Sequence, residues 1–238
     1  MNAGSLKNQV VLITGAGRPP APGLAAALAA QGAIVAANDL SPVLLDPLSA
    51  AVTAQGGRIQ AYIADASRGM PLRAMLDEVL EDFGRIDILV NNPRVRPDAP
   101  LLAMDEWDWQ RTIEMNLNGP FLVTQLVARL MKDQGGGAIL NLVDTQPASL
   151  EVPGRAAYAA SQRGMLALSQ AAARELIAYN IRVHTLCTDE MLLDTLFSQP
   201  STPGGTLSEL AIFLCSPEAA HLSGQIYRVS YNTEERMP

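Results

Sequence analysis

What most constrains this chain is a strict alternation of two kinds of segment. Short β-branched runs (Val10 to Thr14, Ile34 to Asn38, Ile59 to Ile63, Ile86 to Val90, Ala138 to Val143, Arg182 to Cys187, Gln225 to Val229) are separated by longer alanine- and leucine-rich stretches. The stretches read as helices at Gly23 to Gln31, from Asp46-Pro47 to Gln55, Met70 to Phe83, Trp107 to Lys132 and Ala156 to Asn180, with short ones near Met191–Phe197 and Leu207–Leu214. Alternating strand and helix implies βαβ units and a parallel sheet covered on both faces. The strands are near-continuous apolar runs, as such a sheet requires. The expectation is one doubly wound α/β domain over residues 1–238, with a seven-stranded, mostly parallel sheet. The length fits one such domain.

Composition narrows the partners. The net charge of −7 disfavours nucleic acid and anionic membranes. No apolar run approaches the length of a membrane span, and the first residues lack the pattern of a signal segment, so a cytoplasmic protein is expected. Cys187 and Cys215 sit far apart in apolar runs and read as buried thiols of a reducing compartment. His184, inside a strand, reads as a satisfied core histidine. Neither it nor His221 has metal-ligand spacing with the cysteines, so no metal is expected. Trp107 and Trp109 read as the start of an amphipathic helix.

After the first strand comes Thr14-Gly15-Ala16-Gly17, leading into a helix at Gly23. A glycine turn against a helix N-terminus is where a Rossmann-type fold seats nucleotide phosphates. Asp39 closes the second strand. A carboxylate there accepts both ribose hydroxyls of NAD and repels the extra phosphate of NADP. Arg18, inside the turn, pulls the other way, and NAD remains the preferred expectation.

Together these features resemble the short-chain dehydrogenase/reductase family, and most nearly its bacterial 3-oxoacyl-acyl-carrier-protein reductases. The likeness runs from about Leu6 to Val229. It implies an oxidoreductase interconverting a small-molecule carbonyl and alcohol with a nicotinamide dinucleotide. By that resemblance Gly15, Gly17, Arg18 and Gly23 belong to the phosphate turn, Asp39 to the ribose, Asp65 to the adenine edge (or to a cap on the next turn) and Asn91 to the sheet centre. Tyr158 matches the tyrosine that exchanges a proton with substrate, and Asn116 the asparagine of the proton relay. The resemblance also implies a homodimer or homotetramer through the two long helices, with a paralogue as a possible further partner.

The departures are as informative. The turn is two residues longer than the family's and contains Pro19, Pro20 and Pro22, none of which has an N–H for phosphate. Asn91-Asn92 are followed by Pro93-Arg94, which puts bulk and charge where the family has small residues. The family's lysine, four residues after the tyrosine, is Gln162 here. Arg163 lies about 100° further round the helix and does not replace it. The serine position falls on Thr145 counted back from Tyr158, and on Asp144 counted forward from the glycines at 136 and 137. After the sixth strand Thr188-Asp189 replaces Pro-Gly. Three readings follow: an oxidoreductase with weak or no turnover, a non-catalytic scaffold or oligomer partner, and a non-redox enzyme using Asp144 or Asp189 as acid or base.

Overall fold

The computed structural model describes residues 5–145, 151–188 and 207–229. In chain order the elements are β1 (Val10–Thr14), α1 (Ala21–Ala30), β2 (Ile34–Asp39), α2 (Pro42–Ala54), β3 (Arg58–Ile63), α3 (Gly69–Phe83), β4 (Ile88–Asn91) and α4 (Glu106–Ile113). A π-helical segment (Glu114–Asn118) joins α4 to α5 (Gly119–Gln134); β5 (Gly137–Asp144), α6 (Ala156–Leu176), β6 (Ile181–Thr188), α7 (Leu207–Cys215) and β7 (Ile226–Arg228) follow. The sheet has seven strands in the order β3-β2-β1-β4-β5-β6-β7, and every strand pair is parallel. The chain winds outward from β1 to β3, then returns to place β4 on the other side of β1. At that reversal the loops after β1 and β4 diverge and leave a crevice at the carboxyl ends of the strands.

Successive side chains of β1 point to opposite faces. Val11 and Ile13 pack with Leu24 and Leu28 of α1, Leu45 of α2 and Leu214 of α7. Val10 and Leu12 pack with Leu72 and Val79 of α3 and with Val127 and Met131 of α5. Each face of the sheet thus has its own apolar layer, which the near-continuous hydrophobicity of the strands anticipated.

Several boundaries differ from the sequence reading, three of them instructively. Helix α2 begins at Pro42 rather than at Asp46-Pro47: the Ser41 hydroxyl accepts from the Val43 N–H at 3.3 Å, so Ser41-Pro42 supplies the same cap-and-proline start five residues earlier. Pro47 then lies inside the helix. The long helix expected from Trp107 to Lys132 is interrupted at 114–118 by the π segment, which carries the buried Asn116. Strand β4 starts at Ile88, because pairing with β1 begins at Val11↔Ile88. The helix expected near 191–197 lies outside the described residues, as does Asp189.

Both cysteines are buried and free, as expected. Burial pushes the Cys187 thiol up, and the Cys215 thiol up to about 12. His184 corrects the reading of a satisfied core residue. It is fully buried, 6.0 Å from the Tyr227 ring, and neither ring nitrogen has a hydrogen-bond partner among the described residues. Burial, and then the nearby Arg182 charge, lower its pKa to about 4. An unfolded histidine titrates near 6.5, so between about pH 6.5 and pH 4 the unfolded chain binds the proton and the folded one does not. Stability is therefore lost as pH falls through that window. Relative to His184→Leu, wild type is expected to lose roughly 2–3 kcal/mol between pH 7.5 and 4.5, measured by urea unfolding. Parallel pH profiles for the two proteins would remove this assignment.

Candidate active site

The crevice at the reversal point is lined by Thr14 at the end of β1, Gly15 and Arg18 from the first turn, Asn38–Leu40 at the end of β2, Ala64, Ala66 and Ser67 after β3, Asn92–Val95 after β4, and Arg111 and Met115 from the interrupted helix. Its floor is held by one asparagine. Asn92 Nδ2 donates to the Gly15 carbonyl at 2.9 Å and to the Arg18 carbonyl at 2.8 Å. Gly15 has φ +64°, and a Cβ there would stand 2.3 Å from the Asn92 carbonyl oxygen, so only glycine fits.

The turn's backbone donors are almost all engaged. The N–H of Ala16 goes to the Asn38 carbonyl (2.9 Å), that of Gly17 to Asp39 Oδ2 (3.2 Å), that of Arg18 to the Gly15 carbonyl (3.1 Å) and that of Ala21 to the Arg18 carbonyl (3.0 Å). Pro19, Pro20 and Pro22 have none to give. Asp39 is buried. It holds Gly17 through one oxygen while the other accepts from the Leu40 N–H at 2.7 Å. Its charge lines the crevice, with one oxygen engaged by the turn and the other by the residue after β2. Gly17 and Gly23 are not crevice-lining residues.

Two further cofactor candidates also hold the frame around the crevice. Asp65 Oδ1 accepts from the Ser67 N–H (3.0 Å) and hydroxyl (2.5 Å), the capping alternative of the sequence reading. Asn91 is fully buried: Nδ2 donates to Thr124 Oγ1 (3.1 Å) and Asn141 Oδ1 (2.8 Å), and Oδ1 accepts from the Thr14 hydroxyl at 3.4 Å.

Beyond the crevice lies Tyr158, 2% exposed near the start of α6. Its hydroxyl donates to Asp144 Oδ2 at 3.3 Å. Of the two residues that sequence counting left open, Asp144 is therefore the one that meets the phenol. Thr145 is buried beside the Cys187 thiol. Gln162 is turned to the strand: its Oε1 accepts from the Asp144 N–H at 2.8 Å, and its Nε2 has no partner among the described residues. Burial pushes the phenol pKa well above its usual value. The Asp144 carboxylate raises it further, while the charges of Arg94 and Arg96 oppose the rise without cancelling it. The Arg96 guanidinium stands 6.0 Å from the Tyr158 ring centroid, and its own pKa is lowered by burial and then by Arg155 and Arg94.

Asn116 has a role that its position in the sequence did not disclose. Its Oδ1 accepts from the Val95 N–H at 2.8 Å, and its Nδ2 donates to the Val95 carbonyl at 2.7 Å and to Ser161 Oγ at 3.1 Å. Both polar ends are thus engaged by the backbone between Arg94 and Arg96. Reading by motif identified neither the clamp nor the importance of Asn92, Arg96 and Arg111. The only available signal was Pro93-Arg94 in place of small residues. Among the described residues there is no cluster of acidic, histidine or cysteine side chains able to hold a metal, and no helix long and apolar enough to cross a membrane.

Residues 9–201 match the short chain dehydrogenase family. The chain belongs to that family. A 3-oxoacyl-[acyl-carrier-protein] reductase of Thermotoga maritima is 33% identical over 236 residues, covering 93% of this chain and 96% of that protein. Among solved structures, a hydroxysteroid dehydrogenase from Escherichia coli superposes with a TM-score of 0.83 at 31% identity, covering 96% of this chain and 99% of the other. An NAD+-bound xylitol dehydrogenase does so with a TM-score of 0.81 at 25% identity, covering 94% of this chain and 98% of the other. This short-chain dehydrogenase is thus an oxidoreductase by family, and the family implies a nicotinamide dinucleotide; the crevice at the strand reversal is where a doubly wound sheet would seat such a group. The fit of this chain to that group is divided. The walls at the ends of β2 and β3 line the crevice without obstruction by arginine, the turn's amide row is engaged or absent, and three arginines, Arg18, Arg94 and Arg111, line the same crevice.

Proposed function

We propose that this protein binds a nicotinamide dinucleotide, NAD in preference to NADP, and interconverts a small carbonyl and its alcohol slowly, its limit being proton exchange at Tyr158. Asp39 supports the cofactor preference, as a fixed negative charge on the crevice wall where a 2′-phosphate would be repelled. The bound dinucleotide would supply or accept the hydride. Everything else falls to the chain's own residues.

The observation that carries the reading is the 3.3 Å hydrogen bond from the Tyr158 hydroxyl to Asp144. A general acid works best with a pKa near the operating pH. A free phenol already lies about three units above neutrality, and here burial and a carboxylate hold it higher. When Tyr158 gives its proton to a carbonyl oxygen, the phenolate left behind faces Asp144. When it takes one from an alcohol, it must first ionise beside that carboxylate. Both directions are slowed, oxidation more, because it needs the phenolate before the reaction begins. Gln162 offers no charge to offset this.

The test is NADH oxidation with an acetoacetyl thioester. Wild type is expected to turn over well below the roughly 10 s⁻¹ typical of enzymes, and Tyr158→Phe to abolish what remains. Wild-type turnover near that typical rate, lost in Tyr158→Phe, would show the site unimpaired. A residual rate unchanged in Tyr158→Phe would place the chemistry elsewhere.

A further inference from the structure

Three arginines of a net acidic chain line a single crevice. Among the described residues, Arg18, Arg94 and Arg111 form no salt bridge, although ion pairs such as Arg68–Glu114 and Arg155–Asp98 form nearby. Asp39 is the one carboxylate among the lining residues, so the positive charges outnumber it, and such a site is favourable when an anion enters it. The same crevice has lost the amide row with which a glycine turn holds phosphate.

Arg94 stands at the place that matters most. It lines the crevice whose far walls are Asn38–Leu40 and Ala64, Ala66 and Ser67, and its charge also acts on Tyr158. A dinucleotide that spans from those walls to the tyrosine must carry its two phosphates between them, past this residue. The backbone that carries it is also held. Pro93 restricts the backbone before it, and Asn116 grips the next residue through both the N–H and the carbonyl of Val95. A planar guanidinium matches two phosphate oxygens at once.

We propose that Arg94, flanked by Arg18 and Arg111, holds the diphosphate of the bound dinucleotide through its guanidinium, replacing the backbone donors that the proline-containing turn does not provide. The phosphate site has moved from the backbone of the first turn to side chains across the crevice. This rests on the dinucleotide-binding reading above.

The test measures binding, not turnover. NADH is titrated by fluorescence, and ADP-ribose and adenosine by calorimetry, against wild type, Arg94→Met and Arg94→Lys, with thermal melting as the check of folding. Wild type is expected to bind NADH and ADP-ribose, with affinity falling as salt rises from 50 to roughly 500 mM. Arg94→Met is expected to weaken both roughly tenfold or more, with a flatter salt dependence, while adenosine binding stays unchanged. Arg94→Lys should recover part of the loss, since it keeps the charge without the fork. Wild-type affinity for ADP-ribose in Arg94→Met would overturn the assignment and leave dinucleotide binding intact. Failure of wild type to bind NADH and ADP-ribose at millimolar concentration would overturn both.

Discussion

The double variant Asp144→Ser, Gln162→Lys is expected to reduce NAD with a 3-hydroxybutyryl thioester roughly a hundredfold faster than wild type. The size follows from the two charges at the phenol. Asp144 accepts the Tyr158 proton at 3.3 Å, and two unit charges about 4 Å apart interact by about 4 kcal/mol at the effective dielectric of a protein interior. Removing a carboxylate from that distance and adding a cation one helical turn along α6 both favour the phenolate. Even if each change delivers only about one pKa unit after relaxation, the ionised fraction rises about a hundredfold. The single variants are expected to fall short. In Gln162→Lys the new ammonium faces Asp144 and is partly neutralised by it, and the Asp144 N–H loses the acceptor it has in Gln162 Oε1. In Asp144→Ser no cation is gained. The measurement is kcat against pH for all four proteins, and the double variant should shift its profile toward neutral pH. Equal rates in wild type and double variant, at saturating NAD and with the folds intact, would show that proton exchange does not limit this protein.

The second large effect concerns stability. Asn91→Ala is expected to destabilise the fold by roughly 2–4 kcal/mol, a fall in Tm of several degrees for a chain of this size. Asn91 is fully buried at the end of β4 and joins three elements, with Thr14 of β1, Thr124 of α5 and Asn141 of β5 as partners; Asn141 Nδ2 in turn donates to Ser169 Oγ of α6 at 2.9 Å. Removing the amide leaves the Asn141 carbonyl oxygen without its 2.8 Å donor where water cannot reach, and buried polar groups left unpaired cost more than the bonds themselves contribute. Asn91→Asp should be worse still. It keeps the shape but brings a carboxylate against Asn141 Oδ1, an acceptor, so charge burial adds to the lost bond. A Tm for Asn91→Ala within a degree of wild type would show that the network is dispensable.

The sequence by itself determined the fold. Alternation of strand and helix is a local property, written in hydrophobic period and in residues such as Gly84 and Gly135, both in the left-handed conformation at helix ends. Strand β1 and most of α3 are therefore readable residue by residue. The placement of Thr14, Asp39 and Asn91 at strand ends is likewise legible, because parallel pairing fixes register once the strands are known. Motif spacing also located Tyr158, Asn116 and Gln162 on their elements. Partnership was a different matter. Whether Asp144 or Thr145 meets Tyr158 depends on how the end of β5 lies against α6, and one residue of register along a strand reverses the side that a side chain faces. That Asp39 spends its oxygens on Gly17 and Leu40, that Asn116 clamps Val95, and that Arg18, Arg94 and Arg111 share one crevice are contacts between residues from 17 to 93 positions apart or between adjacent backbone groups. No local pattern encodes them. They arise because seven strands bring their carboxyl ends to one edge, where the loops that follow must satisfy their polar groups with whatever neighbours the topology supplies.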